Sequence, residues 1–193
     1  MVHAKLLSAT QNPMGLLKAA AGECYQKEAT DKVIDHIVKA GHLSVLEHCY
    51  ANFEVTCSIT TLMQLTRHRH LSFTVQSSRV CHMDSVHHVD NLDIDVAIDK
   101  AMDNYHRLIA KGHSVEEAAY VLPKATEYKL VVTGNFRAWF EYLPKRMCQR
   151  ASKEHRELAT QIFKELKVVC PEVFKYCKVP CGDCKEKGCS FSG

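Results

Sequence analysis

The sequence predicts a mixed α/β domain of the α+β class, a sheet flanked by helices, over residues 1–176, followed by a cysteine-rich tail, 177–193. Segments of two-residue apolar period are interleaved with segments of helical period, which favours a mixed domain over a bundle or a sandwich. A chain of 193 residues with 46% hydrophobic content is long enough for one substantial core and short for two. No internal repeat is visible, and low complexity is confined to the tail.

Residues 2 to 9 read as a short strand. Asn12-Pro13 opens a helix with Leu16, Leu17, Ala20 and Ala21 on its apolar stripe, ending near Gly22. A second helix begins around Thr30 and Asp31, presents Val33, Ile34, Ile37 and Val38, and stops at Gly41. Ser44 with Glu47 has the spacing of a capping box. From Cys49 to Cys57 the residues alternate, Ala51, Phe53 and Val55 facing one way and Tyr50, Asn52, Glu54 and Thr56 the other, as in a half-buried strand. Ser58 is placed to cap a helix with Ile59, Leu62 and Met63 inward. That helix runs out at Arg67.

Residues 78 to 84 read as another short strand, and His87 to Asp93 as an exposed polar loop. Ile98, Ala101, Met102, Tyr105, Leu108 and Ile109 keep helical spacing in a helix from about Ile94 to Lys111. Ser114 with Glu117 is a second capping-box signal, for a short helix ending before Pro123. Tyr128 to Thr133 is the richest β-branched run, read as a buried strand broken by Gly134-Asn135 before a long helical stretch.

A net charge of +3 argues against a nucleic-acid partner held by bulk electrostatics. No apolar run approaches the ~20 residues of a membrane span, and the start of the chain lacks a signal-peptide core, so a cytoplasmic protein with no membrane partner is expected. Of ten cysteines, Cys24, Cys49, Cys57, Cys81 and Cys148 stand singly among apolar residues, as reduced core thiols do.

The chemistry gathers around Arg67-His68-Arg69. With Arg79 close behind, four cationic or potentially cationic groups converge if the loop between them folds back, and an anion is the natural guest. The small polar side chains from His70 to Ser78 suit turns that aim backbone N–H groups at a phosphate, to which arginine adds bidentate bonds. On charge alone, a solvated basic face is the plainer reading.

Arg-His-Arg, seven residues, then Ser77 is similar to the signature of flavin-dependent thymidylate synthases. In order along the chain, KLLSATQNP, AAAGECY, GHLSVLEH, VLPKATE and NFRAWFEYLPKRMCQRASKEHRELA extend the resemblance over roughly residues 1 to 176. The resemblance implies the family's mixed domain, assembled as a homotetramer with active sites built from several subunits. It implies reductive methylation of dUMP to dTMP, with methylenetetrahydrofolate as carbon donor and FAD, reduced by NADPH, as hydride source.

By position, Arg146 matches the family's activating arginine against the uracil ring, where a fixed cation stabilises negative charge at N3 and the adjoining carbonyls and raises the nucleophilicity of carbon 5. Gln64, Arg67, Val75, Gln76, Ser77, Ser78 and Arg79 match dUMP contacts, Ser77 as a holding group. Arg67, His68 and Arg69 match FAD contacts, as do Asn135, Arg137 and Glu141 at the long helix, while His48 and Tyr50 fall where the family approaches the flavin. Cys148 has no His or Asp placed to activate it as a nucleophile.

Several positions depart from the family. Val75 and Val80 replace a carboxylate and a phenol, Ala119 an arginine, Glu141 an amide and Lys145 a hydrophobe, while Pro144 is expected to kink the helix before Arg146. These leave open a diverged flavin- or nucleotide-binding paralogue, with another pyrimidine nucleotide as substrate or catalysis lost. In the tail, Cys177, Cys181, Cys184 and Cys189 are enough thiolates for one tetrahedral zinc; an oxidation-prone tail is the plainer reading.

Overall fold

A computed structural model describes residues 2–24, 26–178, 181, 184 and 189–191. Its centre is a four-stranded antiparallel sheet of order β1-β2-β4-β3, with β1 His3–Ala9, β2 Tyr50–Ser58, β3 Ser72–Val75 and β4 Glu127–Asn135. The expected alternation holds in β2, where Ala51, Phe53, Val55 and Cys57 are fully buried. On β4 the inward residues are Tyr128, Leu130, Val132 and Gly134, while Val131 faces outward. One face of the sheet is thus covered and the other open.

The covered face carries α6 (Phe136–Met147) and α7 (Lys153–Val169). Trp139 of α6 is fully buried, edge-on to Phe53, with its Nε1–H donating to Ala51 O at 3.1 Å. On α7 the inward face is His155, Leu158, Ala159, Ile162 and Leu166, and Gln161 ties the helix to the edge strand by accepting from Ala4 N and donating to Val2 O. Helices α1 (Pro13–Glu23) and α2 (Asp31–Lys39) pack together at one end; Asn12 caps the first and Gly41, at φ +77°, ends the second. Beyond α7, α8 (Pro171–Phe174) sets Phe174 against Phe136, and Tyr176 donates to Asp35 of α2.

Helix α3 (Ile59–Leu65) is capped by Ser58, as expected, but its buried face is Thr61, Leu62 and Leu65, with Met63 62% exposed. Helix α4 (Leu92–Ala110) is capped by Asn91 and buries Ile98, Met102 and Tyr105; α5 (Val115–Ala118) has the Ser114–Glu117 capping box. No helix among the described residues is long and apolar enough to cross a membrane.

Four further local expectations are corrected. Ser44 and Glu47 lie in a 3₁₀ helix, Leu43–His48, without a side-chain cap, and Glu47 instead binds Arg137. The strand expected at 78–84 is a turn and irregular chain, because Ser77 O accepts from Val80 N and Cys81 N and ends the ladder; the strand lies earlier, at β3. Gly134 and Asn135 do not break β4 but pair with Ala51 and Tyr50. A Cβ at 134 would meet Leu71 Cδ2 at 2.4 Å and Trp139 Nε1 at 3.0 Å, so a larger residue there would have to displace these side chains. Cys24 is exposed rather than in the core.

Candidate active site

Arg146 reaches the site from the last turn of α6, which remains helical through Pro144 to Met147. Its Nε–H donates to His68 Nε2 at 2.8 Å, Nη1 to Gln64 Oε1 at 3.4 Å and Nη2 to Gln64 O at 3.3 Å. The last contact places a cation on a C-terminal carbonyl of α3, where the helix dipole favours it. Arginine carries five N–H donors, so these three bonds leave one each on Nη1 and Nη2.

His68 must accept at Nε2 and so carries its proton on Nδ1. Burial, helped by Arg146 and Lys145, lowers its pKa to about 4, and its ring packs edge-on to Tyr142 at 4.8 Å. Behind Gln64 lies His155, fully buried, with Nδ1 3.3 Å from Gln64 Oε1 and Nε2 3.1 Å from the Tyr142 hydroxyl. Burial, with Arg146 and His68, lowers the His155 pKa to about 3. Tyr142 and His155 were not singled out in the sequence. The available signal was the spacing of His155 from Leu158, Ala159 and Ile162, which puts a histidine on an apolar stripe.

The residues matched to flavin contacts gather at an adjoining corner. Tyr50 pairs with Asn135, whose Oδ1 caps α6 by accepting from Ala138 N at 2.8 Å, and His48 closes the 3₁₀ helix just before β2. Arg137 donates to Glu141 Oε1 at 2.9 Å and to Glu47 Oε1 at 2.6 Å, and both bonds raise its pKa. Glu47, His70, Asn135, Arg137, Ala138 and Glu141 line a cavity of about 200 Å³. Arg67 and Arg69 are exposed in the turn leading to His70, and among the described residues their guanidinium groups have no carboxylate partner.

The other half of the signature lies apart. The extended chain from Ser72 to Gln76 spans about 13 Å at ~3.3 Å per residue, with the Arg67–Arg69 turn before one end and Ser77 after the other. Val75 and Gln76 line a groove on the open sheet face with Glu54, Thr56, His82 and Lys129. Ser77 Oγ accepts from Arg79 N, Ser77 O accepts from Val80 N and Cys81 N, and Arg79 Nε donates to Glu116 of α5 at 2.8 Å. The backbone N–H groups of residues 79–81 are therefore taken within the turn rather than aimed outward. Val80 is 75% exposed, and Ala119 follows α5 three residues after Glu116.

A larger cavity, about 510 Å³, lies between α4 and the start of α7, lined by none of the residues matched to the family site. In the tail, Cys177 is buried with its Sγ donating to Phe140 O at 3.8 Å. Among the described residues no group of three or more His, Cys, Asp or Glu side chains is placed to hold a metal ion, and most of the tail between Cys177 and Cys189 lies outside the described residues.

Residues 5–172 match the family described as thymidylate synthase complementing protein. The chain is 31% identical to the flavin-dependent thymidylate synthase of Corynebacterium diphtheriae, over 86% of this chain and 80% of that protein. It is 35% identical to that of Mycobacterium tuberculosis, over 81% and 76%. The fold resembles the crystal structure of thymidylate synthase X from Helicobacter pylori with FAD and dUMP, with a TM-score of 0.82 and 24% identity over 92% of this chain and 99% of that one.

Proposed function

The chain belongs to the thymidylate synthase complementing protein family, and we propose that it acts as a flavin-dependent thymidylate synthase, converting dUMP to dTMP. On this reading methylenetetrahydrofolate is the carbon donor and NADPH the reductant. The observation that carries it is Arg146, fixed by three internal bonds with two N–H groups left over. A guanidinium so held is preorganised to stabilise charge developing on the pyrimidine without reorganising during the reaction. Gln64 and neutral His68 hold it from one side.

The donor set of the adjoining corner fits FAD. Arg67 and Arg69, without carboxylate partners among the described residues, suit its phosphates, while Asn135, Arg137 and Glu141 line the adjoining cavity, with Tyr50 paired to Asn135 and His48 next to Glu47 in the chain. FAD supplies the hydride when bound. The separation of Ser77 and Arg79 from the Arg67–Arg69 turn supports a homotetramer in which one copy's Ser77–Arg79 turn completes another's site. A cytoplasmic location accords with this metabolic role.

Purified protein is expected to show a flavin spectrum and to form dTMP from dUMP, methylenetetrahydrofolate and NADPH. Full flavin occupancy without turnover across pH and reductants would overturn the activity. The second reading, a diverged paralogue acting on another pyrimidine nucleotide or on none, draws on Glu116 engaging Arg79 and on Glu47 and Glu141 engaging Arg137. Titration of the FAD-loaded protein with dUMP separates the two: a saturable change in the flavin spectrum supports the synthase, and no response favours the paralogue.

A further inference from the structure

The contacts behind Arg146 form a line in which each atom has one consistent hydrogen-bonding role. Arginine has only donors, so the side-chain atom of Gln64 that faces Nη1 is the oxygen. With Oε1 in that place, His155 donates to it from Nδ1, which leaves a lone pair on Nε2. The buried Tyr142 hydroxyl donates to that lone pair, and burial raises its pKa, keeping it a phenol. His155 is itself 0% exposed and neutral, so a second proton on its ring has no place in the line. Among the described residues no protein acceptor meets the Gln64 Nε2 amino group, so it remains a donor for an oxygen of a ligand.

We propose that His155 is a positioning residue of this site: its Nδ1–H, kept on that nitrogen by Tyr142, fixes the Gln64 amide with Oε1 toward Arg146 and Nε2–H₂ toward the bound nucleotide. This rests on the reading of Arg146 as the group that activates the pyrimidine. His155 touches neither nucleotide nor flavin and acts through Gln64 and Arg146. Without the His155 donor, rotation of the amide would turn its NH₂ toward the guanidinium, and Arg146 would lose an acceptor.

The test uses the full chain loaded with FAD. Nitrogen-15 NMR of histidine-labelled protein is expected to show His155 protonated on Nδ1 and unprotonated on Nε2, the latter accepting a hydrogen bond; the opposite tautomer or an imidazolium overturns the proposal. His155→Leu removes the donor, whereas His155→Asn keeps an N–H near the place of Nδ1. The Leu variant is expected to lose at least about tenfold in kcat, and the Asn variant to recover most of it, since small misplacements of a reacting group are costly. Equal losses in both, or an unchanged Leu variant, overturn the proposal. Tyr142→Phe provides a variant that leaves the histidine in place: a shift of His155 toward the Nε2–H tautomer with a lower kcat supports the line, and no change in either overturns it. Arg146→Ala separates this inference from the one beneath it. Unchanged turnover there refutes the role of Arg146, while the tautomer of His155 remains readable on its own.

Discussion

The Arg146 cluster and the Ser77–Arg79 turn are both built from polar residues, yet they are held in opposite ways. Arg146, Gln64, His68, Tyr142 and His155 join α3, α6 and α7 through bonds at least partly out of solvent. Ser77 and Arg79 sit on an exposed turn, anchored to Glu116 with side chains 74% and 53% exposed. A low dielectric strengthens the first set and makes an unmatched partner costly, whereas water screens the second. The difference teaches that the half proposed for catalysis is prebuilt within a single chain, while the half proposed for nucleotide binding is loosely held at the surface.

The largest expected effect breaks the first half. Arg146→Ala should lower kcat for dTMP formation by about 10²–10³, the range for removing a preorganised charge stabiliser. Loss of kcat with retained flavin absorbance would confirm that the change is at the reacting base. Next in size is Arg79→Ala, which should weaken dUMP by roughly 10–100-fold through loss of a charge-assisted bond of about 1.5–3 kcal/mol, measured by flavin-monitored titration. A fall in kcat at saturating dUMP instead would erase the distinction between the two regions.

Acidity should act on the buried region first. His68 and His155 have folded pKa values of about 4 and about 3, below the ordinary 6.5, so the unfolded chain binds more protons between those values. Their contribution to stability is present above pH 6.5 and is lost as pH falls through 4 toward 3. Thermal unfolding measured from pH 7 to 4 should show Tm falling over this window, with a shallower fall in His155→Asn. Asp35 follows at lower pH: bonds from Lys175 and Tyr176 hold its carboxyl near 2, so its share is present above its ordinary 3.8 and is lost as pH falls toward 2. The smallest effect belongs to Glu116→Ala, which should change stability by no more than about half a kcal/mol because the pair is exposed. It should leave dUMP affinity equal or slightly tighter by freeing Arg79, and a weaker affinity would mean that Glu116 positions the arginine rather than competing for it.

Legibility in the sequence follows the range of the interactions. Helix starts at Asn12, Ser58 and Ser114 were readable because a cap is decided within four residues. The alternation of β2 was readable because its inward residues share one face. The strand at Ser72–Val75 was missed because four residues carry little period, and pairing with β4 decided it. Gly134 reads as a breaker because its local preference is for turns, whereas in the sheet Leu71 and Trp139 pack into the space that a side chain would take there.

By itself, the sequence determined the mixed class of the fold, most of its helix caps, and, through motif resemblance, the family and the residues to examine. Tertiary structure alone decided how those residues divide. It placed Arg146 on Gln64 and His68, brought His155 and Tyr142 behind them from α6 and α7, and left Ser77 and Arg79 at the far end of β3. The physical reason is that a hydrogen bond between residues 82 or 91 positions apart leaves no period or local propensity in the chain; only the packing of α6 and α7 on the sheet brings such partners within reach.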